Sequence, residues 1–80
     1  MQTLADVISV QPTIQFGKPV FKGTRVPVQS LFWHLEKGLP LDVFLSDFPS
    51  VSREQAAYVI EWAARRFEAS EIITDENPIR

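Results

Sequence analysis

The chain has 80 residues, no cysteine, and eight Lys and Arg against ten Asp and Glu, for a formal net charge of −2. These limits exclude a disulfide framework, a thiolate metal site, a thiol nucleophile and a domain coated throughout in positive potential. They leave one domain with a small core, near the size at which burial only just outweighs chain entropy, so self-association would help. No apolar run approaches the roughly 20 residues of a membrane span, and Asp6 without a basic start does not fit a signal peptide. A soluble protein of the cytoplasm is the expectation.

Val7, Ile8 and Val10 near the start can form a short strand or simply cover the core. The run from Gly17 to Val28 then packs two glycines, two prolines and three cations between β-branched stretches. Val20-Phe21 and Thr24-Arg25-Val26 are strand-like, and Gly23 between them can take positive φ at little cost, which favours a type II turn or a bulged loop. Pro27 has no N–H to donate and its φ is preset, so it suits the first turn of a helix.

The first helix is expected from Pro27 to Lys37, with Val28, Leu31, Phe32 and Leu35 on one face and Gly38 as its stop. A second, short helix fits Pro40 to Asp47, with Leu41, Phe44 and Leu45 inward, and Phe48-Pro49 ends it. Ser52 opens the third helix with Gln55 three residues on, a capping-box arrangement. Its core stripe is Ala56, Val59, Ile60, Ala63 and Phe67. The fold class is therefore mostly α: a three-helix, helix-turn-helix-like bundle over residues 1–70 preceded by a short β-hairpin, with residues 71–80 as a C-terminal tail. Helical hairpins with no DNA role share that layout.

The pattern Gly17-Lys18-Pro19-Val20, Lys22-Gly23-Thr24-Arg25-Val26-Pro27-Val28, then Leu45-Ser46-Asp47-Phe48-Pro49-Ser50-Val51-Ser52 resembles domain-of-unknown-function family 433 from about Ile8 to Phe67. The resemblance implies a small helix-turn-helix-like domain acting as the antitoxin of a toxin–antitoxin pair, with a PIN-like nuclease as the toxin. Phe16 stands where a Gly is common in that family, and Pro40 where a Ser or similar cap is common.

Charge distribution gives candidate contacts. Residues 1–38 hold four cations against two acids and residues 39–80 four against eight, so a polyanion would meet mainly Lys18, Lys22 and Arg25, with Arg53 and the Arg65/Arg66 pair as separate local additions. Arg53, Gln55 and Tyr58 occupy the first turns of the third helix, the part that reaches base edges when such a helix enters a major groove. The cations also have a structural reading: they can keep a hairpin edge from pairing with another chain, and Arg25 can clamp carbonyls at the strand–helix junction.

Tyr58, Trp62, Arg65 and Ala69 form a second stripe on the third helix, roughly opposite its core stripe, and Trp33 lies across the first helix from Leu31. Either the small core wraps round these aromatics, or Trp33, Tyr58, Trp62 and Arg65 belong to an interface, because Trp, Tyr and Arg dominate binding hot spots. Ile72 and Ile73 offer apolar anchors in the otherwise polar tail. No catalytic residue, metal cage or cofactor motif emerges: Gly17 to Thr24 has the wrong spacing for a phosphate loop, and lone His34 reads as a part-buried or solvated side chain. The expectation is a non-enzymatic antitoxin-type homodimer that neutralises a PIN-like toxin and contacts operator DNA, without membrane or small-molecule substrate. The other class is a protein–protein interaction module with no nucleic-acid contact.

Overall fold

The computed structural model describes residues 2–68. In chain order it contains α1 (Leu4–Val7), β1 (Ile8–Ser9), a 3-10 turn (Gln15–Gly17), β2 (Val20–Phe21), α2 (Val28–Glu36), α3 (Leu41–Asp47) and α4 (Arg53–Glu68). The fold is mostly helical with a short antiparallel hairpin near its start, as the sequence led us to expect.

The hairpin pairs different residues from those expected. β1 supplies the partner of β2, with Ile8 opposite Phe21 and Ser9 opposite Val20, whereas Thr24–Val26 is not a strand. The Thr24 hydroxyl donates to the Phe21 carbonyl at 2.8 Å and accepts the Val26 N–H at 3.0 Å. That local loop uses groups a ladder would need, the way Ser and Thr compete with regular structure. What remains of the second pairing is a bridge between Val20 and Pro27. The turn itself forms as expected: the Thr24 N–H reaches the Phe21 carbonyl at 3.0 Å, and Gly23 has φ +81°.

α1 is an addition to the expected elements. Its signal lay in the sequence: Thr3 precedes Asp6 by three residues, and the Asp6 carboxylate accepts the Thr3 N–H at 2.9 Å. The later helices follow the sequence closely, with Pro27 and Pro40 as the residues just before α2 and α3. α2 stops in a Schellman arrangement: Gly38, at φ +81°, bonds Leu35 at 2.9 Å and Leu39 bonds His34 at 3.0 Å.

Val7, Phe21, Leu31, Phe44, Val51, Ala56 and Val59 form the core cluster, one or two side chains from each surrounding element. Phe44 is its aromatic centre, with ring centroids 6.0 Å from Phe21 and 5.1 Å from Phe48. His34 joins this stack edge-on, 5.3 Å from Phe44, while its ring nitrogens meet the Ser30 carbonyl at 3.0 Å and Asp47 at 3.1 Å. The part-buried reading of His34 holds, and its role is to tie α2 to α3. Phe67, expected in the core stripe, is instead 70% exposed. Between Glu61 and Glu68 only Ala63 is shielded among the described residues, because α4 extends past the described elements packed on its first half.

Two stability measurements test this account. Phe44→Ala should cost about 3–5 kcal/mol, comparable with the roughly 4–12 kcal/mol total expected of a chain this long; urea titration followed by circular dichroism should find the variant largely unfolded, and Phe48→Ala, at a half-buried ring, less affected. Phe16 is a non-glycine residue at φ 56°. Phe16→Gly should therefore raise stability by about 0.5–1 kcal/mol, the left-handed penalty of about 1–2 kcal/mol less the entropy cost of glycine.

Candidate functional site

The turn after β2 is held by its neighbours. The Lys22 N–H donates to the Val7 carbonyl at 2.7 Å, and the Lys22 ammonium reaches the Ala5 carbonyl at 3.2 Å. Gln55 closes the other side. Its amide oxygen accepts the Ser52 N–H at 3.0 Å while its own N–H donates to the Ser52 hydroxyl at 3.0 Å, the reciprocal capping box the sequence implied. The amide nitrogen then donates to the Lys22 carbonyl at 3.1 Å. Gln55 thus has both ends of its side chain engaged within the chain, and Lys22 is a junction between α1, β2 and α4.

Arg53, the other candidate reader of DNA on α4, pairs with Asp42 of α3. Tyr58 is half-buried and packs against the core rather than standing free of it. The first turns of α4 are therefore largely occupied by intramolecular contacts. Lys18 and Arg25 are exposed, and among the described residues the Arg25 guanidinium takes no carboxylate or carbonyl partner. The Arg25 contact that does form is through its backbone: the Gln15 amide donates to the Arg25 carbonyl at 3.0 Å.

The aromatic stripe on α4 is partly brought together. Tyr58, Trp62 and Arg65 line a small hollow of about 220 Å³ with Glu61, which pairs with Arg65 at 3.0 Å. Arg66 lies over the Trp62 ring, 4.4 Å from its centroid, a cation–π arrangement. Trp33 is 50% exposed on α2 and lines none of these hollows. Ile72 and Ile73 lie outside the described residues.

A large concave feature among the described residues was not legible as such in the sequence. An apolar groove of about 610 Å³ is lined by Val28 and Phe32 of α2, by Val59, Trp62 and Ala63 of α4, and by Ile8, Val10, Lys18, Pro19 and Pro27 from the first part of the chain. Val28 and Phe32 were expected on a single core face. That face is divided: Leu31 is fully buried, while Val28 and Phe32 remain part-exposed to the groove. Among the described residues no group of three His, Asp or Glu is placed to hold a metal, and no helix is long and apolar enough to cross a membrane.

The sequence profile of the family described as Protein of unknown function (DUF433) matches residues 8–63, most of the hairpin and helices just described. The chain belongs to this family. A solved DUF433 member from Anabaena variabilis ATCC 29413, a crystal structure at 2.00 Å resolution, superimposes with a TM-score of 0.66 at 23% sequence identity, covering 81% of this chain and 64% of that one. At that identity the likeness shows a shared fold, and the present chain spans less than two thirds of the Anabaena protein's length. No curated protein matches the chain.

The Gln55 brace between the α4 cap and the Lys22 turn can be tested directly. Gln55→Ala removes the cap acceptor and leaves the Lys22 carbonyl without its donor, so it should cost about 1–3 kcal/mol in chemical denaturation. Gln55→Glu keeps the acceptor for the Ser52 N–H but loses the donor, so its loss should come chiefly from the Lys22 side. Amide exchange at Lys22 and its neighbours should separate the two variants.

Proposed function

We propose that this protein is an antitoxin-type binding module that works as a homodimer and neutralises a PIN-like nuclease, without enzymatic activity of its own. The observation that carries the reading is the open apolar groove lined by α2 and α4, with Trp62 among its lining residues. A second copy is the occupant we favour. The described domain buries only eight hydrophobic side chains almost completely, so a partner surface over Val28, Phe32 and Trp62 would add the apolar burial that so small a core lacks. The acid-rich second half of the sequence complements the cations that a nuclease presents around its site, and such complementarity steers association. Ile72 and Ile73 of the tail are the proposed anchors for that partner.

Operator contact, the remaining part of an antitoxin's role, would fall to Lys18 and Arg25 more than to the start of α4. The pairing of Arg53 with Asp42 and the double engagement of Gln55 favour this, and they also favour the second reading, an interaction module that touches no nucleic acid.

Light scattering after size exclusion at micromolar concentration should give twice the chain mass of 9.1 kDa. Trp62→Ala should weaken the dimer by about 2 kcal/mol or more if that ring is a hot spot, and Ala63→Glu, which puts a charge in the groove lining, should abolish it. A monomer across the accessible concentration range would remove the dimer. Co-expression with a nuclease encoded in the neighbouring reading frame, followed by co-purification, tests neutralisation, and a chain truncated after Ala69 should capture that partner more weakly. If DNA upstream of the reading frame is not shifted even at low salt, where phosphate contacts are strongest, the second reading stands.

A further inference from the structure

Between the two strands the chain makes a feature that the groove does not use. Gln15 and Phe16 have φ of 52° and 56°, a region that non-glycine residues seldom enter, and the Phe16 side chain is 96% exposed. Turn bonds hold them there: Gly17 to the Ile14 carbonyl at 3.1 Å and Lys18 to the Gln15 carbonyl at 3.0 Å. The Gln15 amide fastens this loop to the Arg25 carbonyl. A large apolar ring is thus displayed to solvent on a backbone held in a conformation that favours glycine, and outliers of this kind cluster at sites where contact with another molecule makes use of them.

Two cations stand near it, Lys18 two residues on in the chain and Arg25 across the adjoining hollow. No Asp or Glu occurs between Asp6 and Glu36, a stretch that holds Lys18, Lys22 and Arg25. A hollow of about 410 Å³ lies between Phe16 and Arg25, framed by Pro12, Thr13 and Gln15. That is within the roughly 300–1,000 Å³ typical of small-molecule sites.

From this juxtaposition we infer that Phe16 and Arg25 form a nucleotide-contact site, in which an unpaired base of a single-stranded nucleic acid stacks on the ring and its flanking phosphate meets the guanidinium. An aromatic platform beside free cations is the way single strands are held without sequence readout, since every base has a π-face. The strand must be unpaired, because in a duplex both faces of each base are covered by its neighbours. Thr13 is the main polar group left to select among bases, the Gln15 amide being committed to Arg25, so the site discriminates little. Because the loop backbone that carries the ring is already held by its turn bonds, little backbone ordering cost opposes binding. The inference does not rest on the dimer groove, and either can fail alone.

Fluorescence anisotropy with the full chain at low salt, using labelled 12-mers of deoxythymidylate and uridylate, should show binding that falls steeply with added salt. Phe16→Ala and Phe16→Gly should weaken it roughly 5- to 100-fold, Phe16→Trp should restore it, and Arg25→Ala should weaken it and flatten the salt dependence. Phe16→Gly is the decisive variant, because it relieves the backbone and so cannot lose binding by unfolding. The inference is overturned if neither oligonucleotide binds, if the Phe16 variants bind as the native chain does, or if only duplex DNA binds. It is overturned equally if uridine monophosphate binds as tightly as the strand, or if Phe16→Ala abolishes capture of a partner protein while the oligonucleotides bind neither form.

Discussion

The fold depends on how the Lys22 turn is held. Its N–H goes to Val7, its ammonium to Ala5 and its carbonyl to the amide of Gln55, thirty-three residues later in sequence. These bonds fix the hairpin against both α1 and the start of α4, with Phe21 beside them fully buried in the core. A surface turn normally contributes little to stability. This one ties α1 to the start of α4, the first and last of the described elements, beside the buried Phe21.

That arrangement reassigns the charges. Lys22 and Arg53 look like phosphate contacts when only the sign of the side chain is considered, yet Lys22 meets a helix-end carbonyl and Arg53 meets Asp42. Exposed ion pairs of this kind are worth about 0–1 kcal/mol, so the Arg53–Asp42 pair matters more for orienting α3 and α4 than for stability. Lys18 and Arg25 are left facing solvent, beside a loop whose backbone is locked and whose phenylalanine is exposed. Lys18, Arg25 and Phe16, the most exposed large apolar side chain among the described residues, therefore lie in the first half of the chain, and the acid-rich half carries the long helix.

A second consequence is the groove. With Leu31 taken into the core, Val28 and Phe32, both to the same side of it around the helix, face a trough that α4 does not fill. A helix has one apolar face about 100° or more wide, and in a domain of this size that face can serve the core and an open surface at once. The same division explains why Trp62 is only partly covered while Val59, three residues earlier, is nearly buried.

Local chemistry was enough to place much of the fold in the sequence. The Ser52–Gln55 capping box, the Gly23 turn and the Gly38 helix stop depend on residues within a few positions of one another, and all three form as the sequence implies. The family resemblance was equally visible, since its residues lie in two short runs, Gly17 to Val28 and Leu45 to Ser52. Tertiary structure alone decided which strand pairs with Val20-Phe21, because Thr24 satisfies backbone groups locally and only the folded chain brings Ile8-Ser9 alongside. It also decided the long-range bond from Gln55 to Lys22, the partner of Arg53 and the split of the α2 face between core and groove. Each of these joins residues far apart in sequence, and periodicity tells which side of a helix is apolar without telling what lies against it.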